Sequence, residues 1–147
     1  MKTLSLGSIF LSVAKLDSQL CFALYSASHQ LTSIYRPLLE PLGLTYTQFI
    51  VLMVLWEGDN IPISQLAEKT GLTKATMTPL LKRLEKKGLI NRVVSSDDER
   101  QKNIVLTNSG YDLSRQSGEI TQQAFCATGL SERKAKEMID LCKKLTR

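Results

Sequence analysis

The most reactive side chains in this 147-residue sequence are three cysteines, Cys21, Cys126 and Cys142. A cysteine thiolate can be oxidised by a peroxide to a sulfenic acid, which a second thiol converts into a disulfide. The three residues are far apart, no Cys-x-x-Cys motif is present, and His29 is the only histidine. This composition excludes a zinc finger and argues against a small secreted scaffold held together by disulfides.

Cys21 has a tyrosine at helical spacing. Tyr25 follows four residues later, so the two side chains share one face if this segment is a helix. Tyr35 returns to within about 40° of that face but lies ~21 Å further along the same helix. Tyr35 can therefore serve Cys21 only from a second subunit. Phenolic donors stabilise a thiolate, which favours a redox-active cysteine, although a single cysteine on an apolar helix is more often an inert, buried residue.

The net charge of the sequence is concentrated in one segment. Six basic residues and one acidic residue fall between Leu72 and Val93, so this segment accounts for the whole net charge of +5. A basic stretch can be no more than a solvated helix face. It is also typical of a surface that binds the phosphates of a nucleic acid.

These residues require a mainly α-helical framework with one β-hairpin. Pro37 is expected to end the first helix near Tyr35, because the residue before a proline disfavours the helical conformation. Residues 89–94 and 103–107 favour strands and flank a polar turn, which predicts a hairpin. Helical spacing and capping residues predict six helices: from a cap at Asp17 to about Tyr35, from about Thr45 to Gly58, over about 63–70, from a cap at Thr73 to Gly88, from Thr107 to about Ala127, and from a cap at Ser131 to Leu145.

A helix, a tight turn, a basic helix and a hairpin follow one another in the order of a winged helix-turn-helix. In this arrangement the second helix enters the major groove of DNA. Pro79 lies within that helix and can bend it, although a proline in the first turns of a helix can also be tolerated. The positions from which side chains can reach phosphates or base edges are Thr73, Lys74, Thr76, Thr78, Lys82 and Arg83.

The tip of the hairpin is the second predicted contact with DNA. Arg100 is expected to enter the minor groove, where a narrow A·T-rich groove attracts a guanidinium. Asp98 is expected to orient the tip by pairing with Arg100 or Arg92, since unpaired carboxylates here would repel phosphates. A solvated turn without a DNA contact is the alternative.

The hairpin and its flanks resemble those of a known family. Asp98-Glu99-Arg100, followed by Ile104-Val105-Leu106-Thr107 and Gly110, resembles the wing signature of MarR family regulators, and the stretch from Ile63 to Ile90 resembles their helix-turn-helix. The resemblance covers residues 16–145. It implies one MarR-like domain over residues 1–147, with dimerisation helices in 16–45 and 108–147 and a winged helix-turn-helix region in 46–107.

The same resemblance implies a homodimer that represses transcription from a pseudo-palindromic operator in double-stranded DNA. A dimer also follows from geometry, because two half-sites about 34 Å apart require two copies of the reading helix.

Within this family, the sequence resembles the organic hydroperoxide sensors of the OhrR branch. The resemblance rests on residues 16–25 around Cys21, on Tyr35-Arg36-Pro37-Leu38-Leu39 and on Leu44-Thr45-Tyr46. It implies that Cys21 senses an organic hydroperoxide beside Tyr25, with Tyr35 and Tyr46 of the partner hydrogen-bonded to its sulfur.

Cys126 lies where the two-cysteine type of this branch carries its resolving cysteine. The resemblance therefore implies that an intersubunit disulfide between Cys21 and Cys126 releases the DNA. A buried structural role is the alternative for Cys126, and Cys142 is expected to pack in the dimer interface.

Two other functions are compatible with parts of the sequence. A MarR-type repressor could instead be released by a small aromatic ligand, with the cysteines incidental. A thiol peroxidase is the other possibility, but the sequence lacks a Pro-x-x-x-Thr-x-x-Cys motif and catalysis leaves the basic helix unexplained. We therefore expect a regulator rather than an enzyme, with no metal and no cofactor.

The N-terminal residues 1–15 faintly imitate a signal peptide. Serines interrupt their apolar stretch, and no small-x-small cleavage motif follows. The longest apolar run, from Phe49 to Trp56, is too short to span a membrane. We expect a cytoplasmic protein with no membrane contact.

Overall fold

The computed structural model describes residues 13–146, which form seven α-helices and a three-stranded antiparallel sheet. This confirms the predicted mainly α-helical class with a small β-hairpin wing. Residues 1–12, which include most of the stretch that faintly imitates a signal peptide, lie outside the described residues. The elements are α1 (Leu20–Leu39), α2 (Tyr46–Glu57), β1 (Ile61–Pro62), α3 (Ile63–Thr70), α4 (Lys74–Lys86), β2 (Ile90–Val94), β3 (Lys102–Leu106), α5 (Asn108–Asp112), α6 (Ser114–Ala127) and α7 (Glu132–Leu145).

Helix α1 differs from its prediction at both ends. Asp17 does not cap it but lies in a separate 3-10 turn, and α1 begins after Gln19. Pro37 lies inside the last turn, and the helix continues beyond it to Leu39. A proline removes only one backbone donor, and Leu39 is completely buried in the core. We attribute the extra turn to this burial, which outweighs the lost hydrogen bond.

Helix α2 lies at the centre of the core, as its apolar residues predict. A capping box starts it: the Thr45 hydroxyl accepts the Gln48 N–H, and the Gln48 side chain accepts the Thr45 N–H at 3.1 Å. Such a box satisfies two otherwise unpaired donors at the helix start. Phe49, Val51 and Leu52 behind it are buried. The cap therefore fixes the start of α2, and with it the position of Tyr46, the first residue of the helix.

The predicted helix-turn-helix consists of α3 and α4 and is confirmed. Gly71 ends α3 with a positive φ of 72°, a conformation that favours glycine. Thr73 caps α4 by accepting the Thr76 N–H at 3.2 Å. Buried Met77 and Leu81 attach α4 to the core. The opposite face of α4 is therefore left for solvent or a partner.

The wing is confirmed to within one residue at each strand end. Strands β2 and β3 pair from Ile90 with Leu106 to Val94 with Lys102. The sheet also contains β1, where Ile61 pairs with Ile104. The sequence does not predict β1, because two residues are too few to show an alternating pattern.

The single fifth helix predicted from Thr107 is wrong, because the chain breaks at Leu113 into α5 and α6. At this break the Trp56 indole N–H donates to the Gly110 carbonyl at 3.0 Å. Gly110 also lies against the chain before β2, where an added Cβ would come within 2.1 Å of the Leu89 oxygen. These contacts are made across the fold, so local periodicity does not show them.

Among residues 13–146, no single helix is both long and apolar enough to cross a membrane. Two segments satisfy length and composition only as a pair, Leu20–Leu42 with Tyr46–Glu57, and they meet at a bend of 75°.

We predict that Gly110→Ala lowers the free energy of unfolding by about 1–3 kcal/mol or more, because the clash is with backbone that cannot rotate away. The matched control is Gly118→Ala in α6, where an added Cβ meets nothing within 4 Å. That variant should be neutral or gain up to about 1 kcal/mol, since alanine favours helix. Urea unfolding followed by circular dichroism measures both, and equal stabilities would contradict the close approach.

Candidate functional site

The six residues predicted on the reading helix are all exposed, five of them on α4 and Thr73 at its N-cap. They are Thr73, Lys74, Thr76, Thr78, Lys82 and Arg83. Pro79 lies within α4 and does not end it. All six side chains are therefore accessible from solvent, and their contacts with DNA stay a prediction.

Hydroxyl groups at the start of α4 are already oriented by local hydrogen bonds. Thr73 Oγ donates to Thr76 Oγ at 3.0 Å, and Thr78 Oγ donates to the Lys74 carbonyl at 3.1 Å. Thr76 thus keeps its own O–H as a donor, and Thr78 keeps its lone pairs as acceptors. These two groups suit different partners, a phosphate or base acceptor for Thr76 and a base donor for Thr78.

A basic cleft of about 660 Å³ separates the second half of α4 from the wing, and Lys82, Glu85, Lys86, Arg92 and Lys102 line it. Glu85 Oε2 lies 2.9 Å from Arg92 Nε, an ion pair with an angle too bent for a hydrogen bond. Within the described residues the three lysines make no ion pair. Lys102 is absent from the predicted set, because only the pairing of β3 with β2 brings it to α4.

Lys87 plays a different part from the other basic residues of this segment. Its Nζ donates to the Gly43 carbonyl and to Gln48 Oε1, the second at 3.2 Å. Lys87 therefore ties the end of α4 to the start of α2.

The wing tip is shaped by Asp98, but not through the expected ion pair. Asp98 Oδ1 accepts the backbone N–H of Arg100 at 2.9 Å, and the Asp98 carbonyl accepts the Gln101 N–H at 3.0 Å. A short aspartate side chain reaches a backbone donor two residues ahead more readily than a distant cation. The expected pairing with Arg92 is wrong, because Arg92 pairs with Glu85. Arg100 is exposed at the tip.

A second candidate site is an apolar cavity of about 450 Å³ bounded by α1, α2, α6 and α7. Tyr35 and Tyr46 meet in its wall with ring centroids 5.0 Å apart. Phe125, Met138 and Cys142 are also in the lining. The cavity thus combines an apolar volume with two phenolic hydroxyls and one thiol.

Burial raises the pKa of Tyr35 above its usual value of 10.0, and the adjacent Tyr46 raises it further. The Tyr35 hydroxyl therefore stays protonated throughout the physiological range. A neutral phenol in an apolar wall is a hydrogen-bond donor for a thiolate or a peroxide oxygen.

Cys21 and Tyr25 lie apart from the two tyrosines of the cavity. Cys21 is in the first turn of α1, and the exposed Tyr25 ring packs edge-on against His29 at 4.4 Å. Neither Cys21 nor Tyr25 lines the cavity that holds Tyr35 and Tyr46. One chain therefore does not assemble the predicted sensing site, which is compatible with a site shared between two chains.

All three cysteines are exposed free thiols in this structure. Cys126 lies on α6, with Gln122 Nε2 3.7 Å from its sulfur, so it is not buried in the single chain. Among residues 13–146, no three His, Cys, Asp or Glu side chains are placed to share a metal ion.

The Tyr35 environment predicts its titration. The difference between the absorbance titrations of the wild-type protein and Tyr35→Phe reports the ionisation of Tyr35. We expect its midpoint above pH 10, because burial penalises the charged form. Tyr46→Phe should lower that midpoint only in part, since burial is the larger cause. Tyr111→Phe, which removes an exposed ring, is the control for the difference spectra. An ordinary midpoint for Tyr35 would contradict the burial of its hydroxyl.

Comparison with known proteins agrees with this geometry. The profile of the MarR family matches residues 44–102. The organic hydroperoxide resistance transcriptional regulator of Bacillus subtilis is 41% identical over 123 residues, which cover 74% of this chain and 84% of that protein.

Solved structures show the same fold. AbfR of Staphylococcus epidermidis, overoxidised and bound to DNA, is 30% identical with a TM-score of 0.73, over 89% of this chain and 93% of that one. The disulfide-formed AbfR is also 30% identical, with a TM-score of 0.64 over 90% and 93% of the two chains. A probable transcriptional regulator from Pseudomonas aeruginosa is 30% identical, with a TM-score of 0.78 over 89% and 99%. By sequence identity, coverage and winged-helix architecture, this chain belongs to the MarR family of DNA-binding transcriptional regulators.

Proposed function

We propose that this protein is a homodimeric repressor that leaves its operator when an organic hydroperoxide oxidises Cys21. The observation that carries the proposal is the separation of the reactive groups within one chain. Cys21 lies in the first turn of α1, while Tyr35 and Tyr46 form the donor wall of an apolar cavity. In the proposed dimer, Cys21 of one chain lies beside Tyr35 and Tyr46 of the other, so that two chains form the complete sensing site.

The resemblance to redox-responsive proteins supports the choice of inducer. The Bacillus subtilis relative is named for organic hydroperoxide resistance, and AbfR has been solved in overoxidised and disulfide forms. An apolar cavity with phenolic donors suits an organic peroxide better than hydrogen peroxide, because its walls bury the organic group while the phenols hold the oxygens.

Apolar side chains on α1 and α7 support the dimer. Exposed residues on these helices include Leu20, Leu31, Ile139, Leu141 and Leu145, and Leu141 and Leu145 are each 61% exposed. Exposed apolar side chains in such number on two helices are typical of a protein interface. We place the interface on residues 16–45 and 108–147, which leaves 46–107 to bind DNA.

In the proposed complex, α4 of each subunit enters the major groove of one half-site of a pseudo-palindromic operator. Thr73, Thr76 and Thr78 contact bases or phosphates, and Lys74, Lys82 and Arg83 neutralise phosphates. Arg100 enters the minor groove from a wing tip shaped by Asp98.

The proposed chemistry begins when the Cys21 thiolate attacks the O–O bond of the hydroperoxide. The O–O bond breaks, Cys21 becomes a sulfenic acid, and the departing alkoxide takes up a proton to give an alcohol. Tyr25 of the same chain and Tyr35 and Tyr46 of the other donate hydrogen bonds to the sulfur or the peroxide oxygens.

Cys126 of the partner then forms the disulfide that changes the spacing of the reading helices. The bond cannot form within one chain in this conformation. Leu31 of α1 and Phe125 of α6 line the same cavity, and Cys21 lies ten residues before Leu31, which is about 15 Å of helix. A disulfide needs Cα atoms within about 7 Å. We propose that the bond instead joins two chains, and that the accompanying helix movement spoils the half-site register.

A second candidate function is favoured by the cavity itself. Its volume of about 450 Å³ falls in the range of small-molecule sites, about 300–1,000 Å³. A repressor released by a small aromatic ligand, with incidental cysteines, would use the same cavity without any oxidation.

Cys21→Ser should bind operator DNA normally and lose the response to cumene hydroperoxide, because a hydroxyl cannot form a sulfenic acid. Cumyl alcohol is the matched ligand control, since it has nearly the same shape without the O–O bond. A gel-shift assay should show release of the wild-type protein by the peroxide only, with recovery on adding dithiothreitol. Release by the alcohol, or release of Cys21→Ser by the peroxide, would instead support the ligand-binding function.

Operator affinity should fall by about 10³–10⁵ between roughly 50 and 200 mM salt if about 6–10 phosphates are neutralised per dimer. Lys102→Ala should reduce the slope of log affinity against log salt by about 1–2, as one phosphate contact is lost per subunit. Lys136→Ala on the exposed surface of α7 is the control and should leave the slope unchanged. Equal slopes for both variants would remove Lys102 from the interface.

A further inference from the structure

We propose that Cys142 is a second resolving thiol, which captures the sulfenic acid of the partner's Cys21 before Cys126 can reach it. This inference rests on the proposed function, because it requires the partner's Cys21 to approach Tyr35 and Tyr46. Cys142 lines the same cavity as these two tyrosines. A sulfur that docks against the phenols is therefore brought to the cavity wall that contains Cys142.

Cys126 is turned away from that cavity. The residues of α6 that line it form one stripe, made of Thr121, Ala124, Phe125 and Thr128. At 100° per residue, Cys126 points about 150° away from the centre of this stripe. Its sulfur lies on the exposed side of α6, beside the Gln122 amide. Rotation or unwinding of α6 must precede any bond between Cys126 and a sulfur in the cavity.

Cys142 has no such obstacle. It lies on the apolar face of α7 with Met138, and both residues also line a neighbouring apolar cavity of about 350 Å³. Leu20 and Leu24 of the same chain line that second cavity. Cys21 does not line it, because its side chain is turned about 80° from the mean direction of those two leucines. We therefore base the proposal on the tyrosine cavity, which Cys142 lines and which the proposed function assigns to the partner's Cys21.

The reaction is balanced with the hydroperoxide as the only oxidant. The Cys21 thiolate attacks the hydroperoxide and becomes a sulfenic acid, and the alkoxide that leaves takes up a proton to give an alcohol. The Cys142 sulfur then attacks the Cys21 sulfur, so that an S–S bond forms and the S–O bond breaks. The departing hydroxide leaves as water with the thiol proton.

A first disulfide with Cys142 has a consequence for reversibility. Cys21 held as a disulfide is protected from sulfinic and sulfonic acids, which dithiothreitol does not reduce. After the slower rearrangement of α6, Cys126 attacks the sulfur of the partner's Cys21 and replaces Cys142 in the disulfide.

Three single variants, each treated with cumene hydroperoxide and quenched at early times with an alkylating agent, test this order. On non-reducing gels, Cys126→Ser should still form a covalent dimer, whereas Cys142→Ser should form it about tenfold more slowly than wild type. Peptide mapping of the early wild-type dimer should identify Cys21 joined to Cys142. Cys21→Ser is the control for bonds between the remaining cysteines, and circular dichroism checks that Cys142→Ser is folded.

A mixed dimer tests whether the bond joins two chains. One chain carries only Cys21, through Cys126→Ser and Cys142→Ser, and the co-expressed chain carries only Cys142, through Cys21→Ser and Cys126→Ser. Peroxide should convert this pair into a covalent heterodimer. A Cys21–Cys142 bond found only within single chains would overturn the intersubunit geometry.

The failures of the two proposals are distinguishable. If Cys126→Ser forms no covalent dimer while Cys142→Ser forms it at the wild-type rate, Cys142 has no resolving role and the peroxide-sensing function stands. If wild-type protein neither cross-links nor leaves DNA on peroxide treatment, the sensing function fails and this inference fails with it.

Discussion

The structure depends on the burial of α2. Helix α2 is apolar nearly all round and exposes little of its length, so other elements must cover it on every side. Helices α1, α3, α4 and α6 all contact it. The reading helix is therefore attached to the same core as the helices that bear the exposed apolar surface, and neither region has a separate core of its own.

The two ends of α2 belong to different parts of the molecule. Tyr46 at its start lies in the cavity wall with Tyr35, and Trp56 near its end donates to the Gly110 carbonyl. Gly110 in turn packs on Leu89, which directly precedes the wing. A helix of 12 residues thus connects the two tyrosines of the cavity to the segment between the wing and α6. A shift at one end of such a helix is passed to the other end, because a closely packed interior has few voids to absorb it.

Most of the helical framework is predictable from the sequence, because its signals are local. Thr45, Thr73 and Ser131 act as caps at the expected places, and Gly71 ends α3 through its left-handed conformation. Two of the failures have a common cause. Pro37 is carried inside α1 by the burial of Leu39, and the break at Leu113 accompanies the contacts made by Gly110, so distant contacts override local preference in both cases.

Local sequence patterns predict the winged helix-turn-helix with its basic surface and the cysteine followed by tyrosines. Spacing and charge suffice for these, since helix periodicity and capping act over a few residues. The contacts between distant residues follow from the packing of the whole chain. This packing separates Cys21 from Tyr35 and Tyr46, brings Lys102 to the cleft, pairs Arg92 with Glu85, and places Cys142 in the tyrosine cavity with Cys126 facing away. These contacts depend on how helices and strands far apart in sequence pack on α2, and no pattern over a few neighbouring residues predicts that packing.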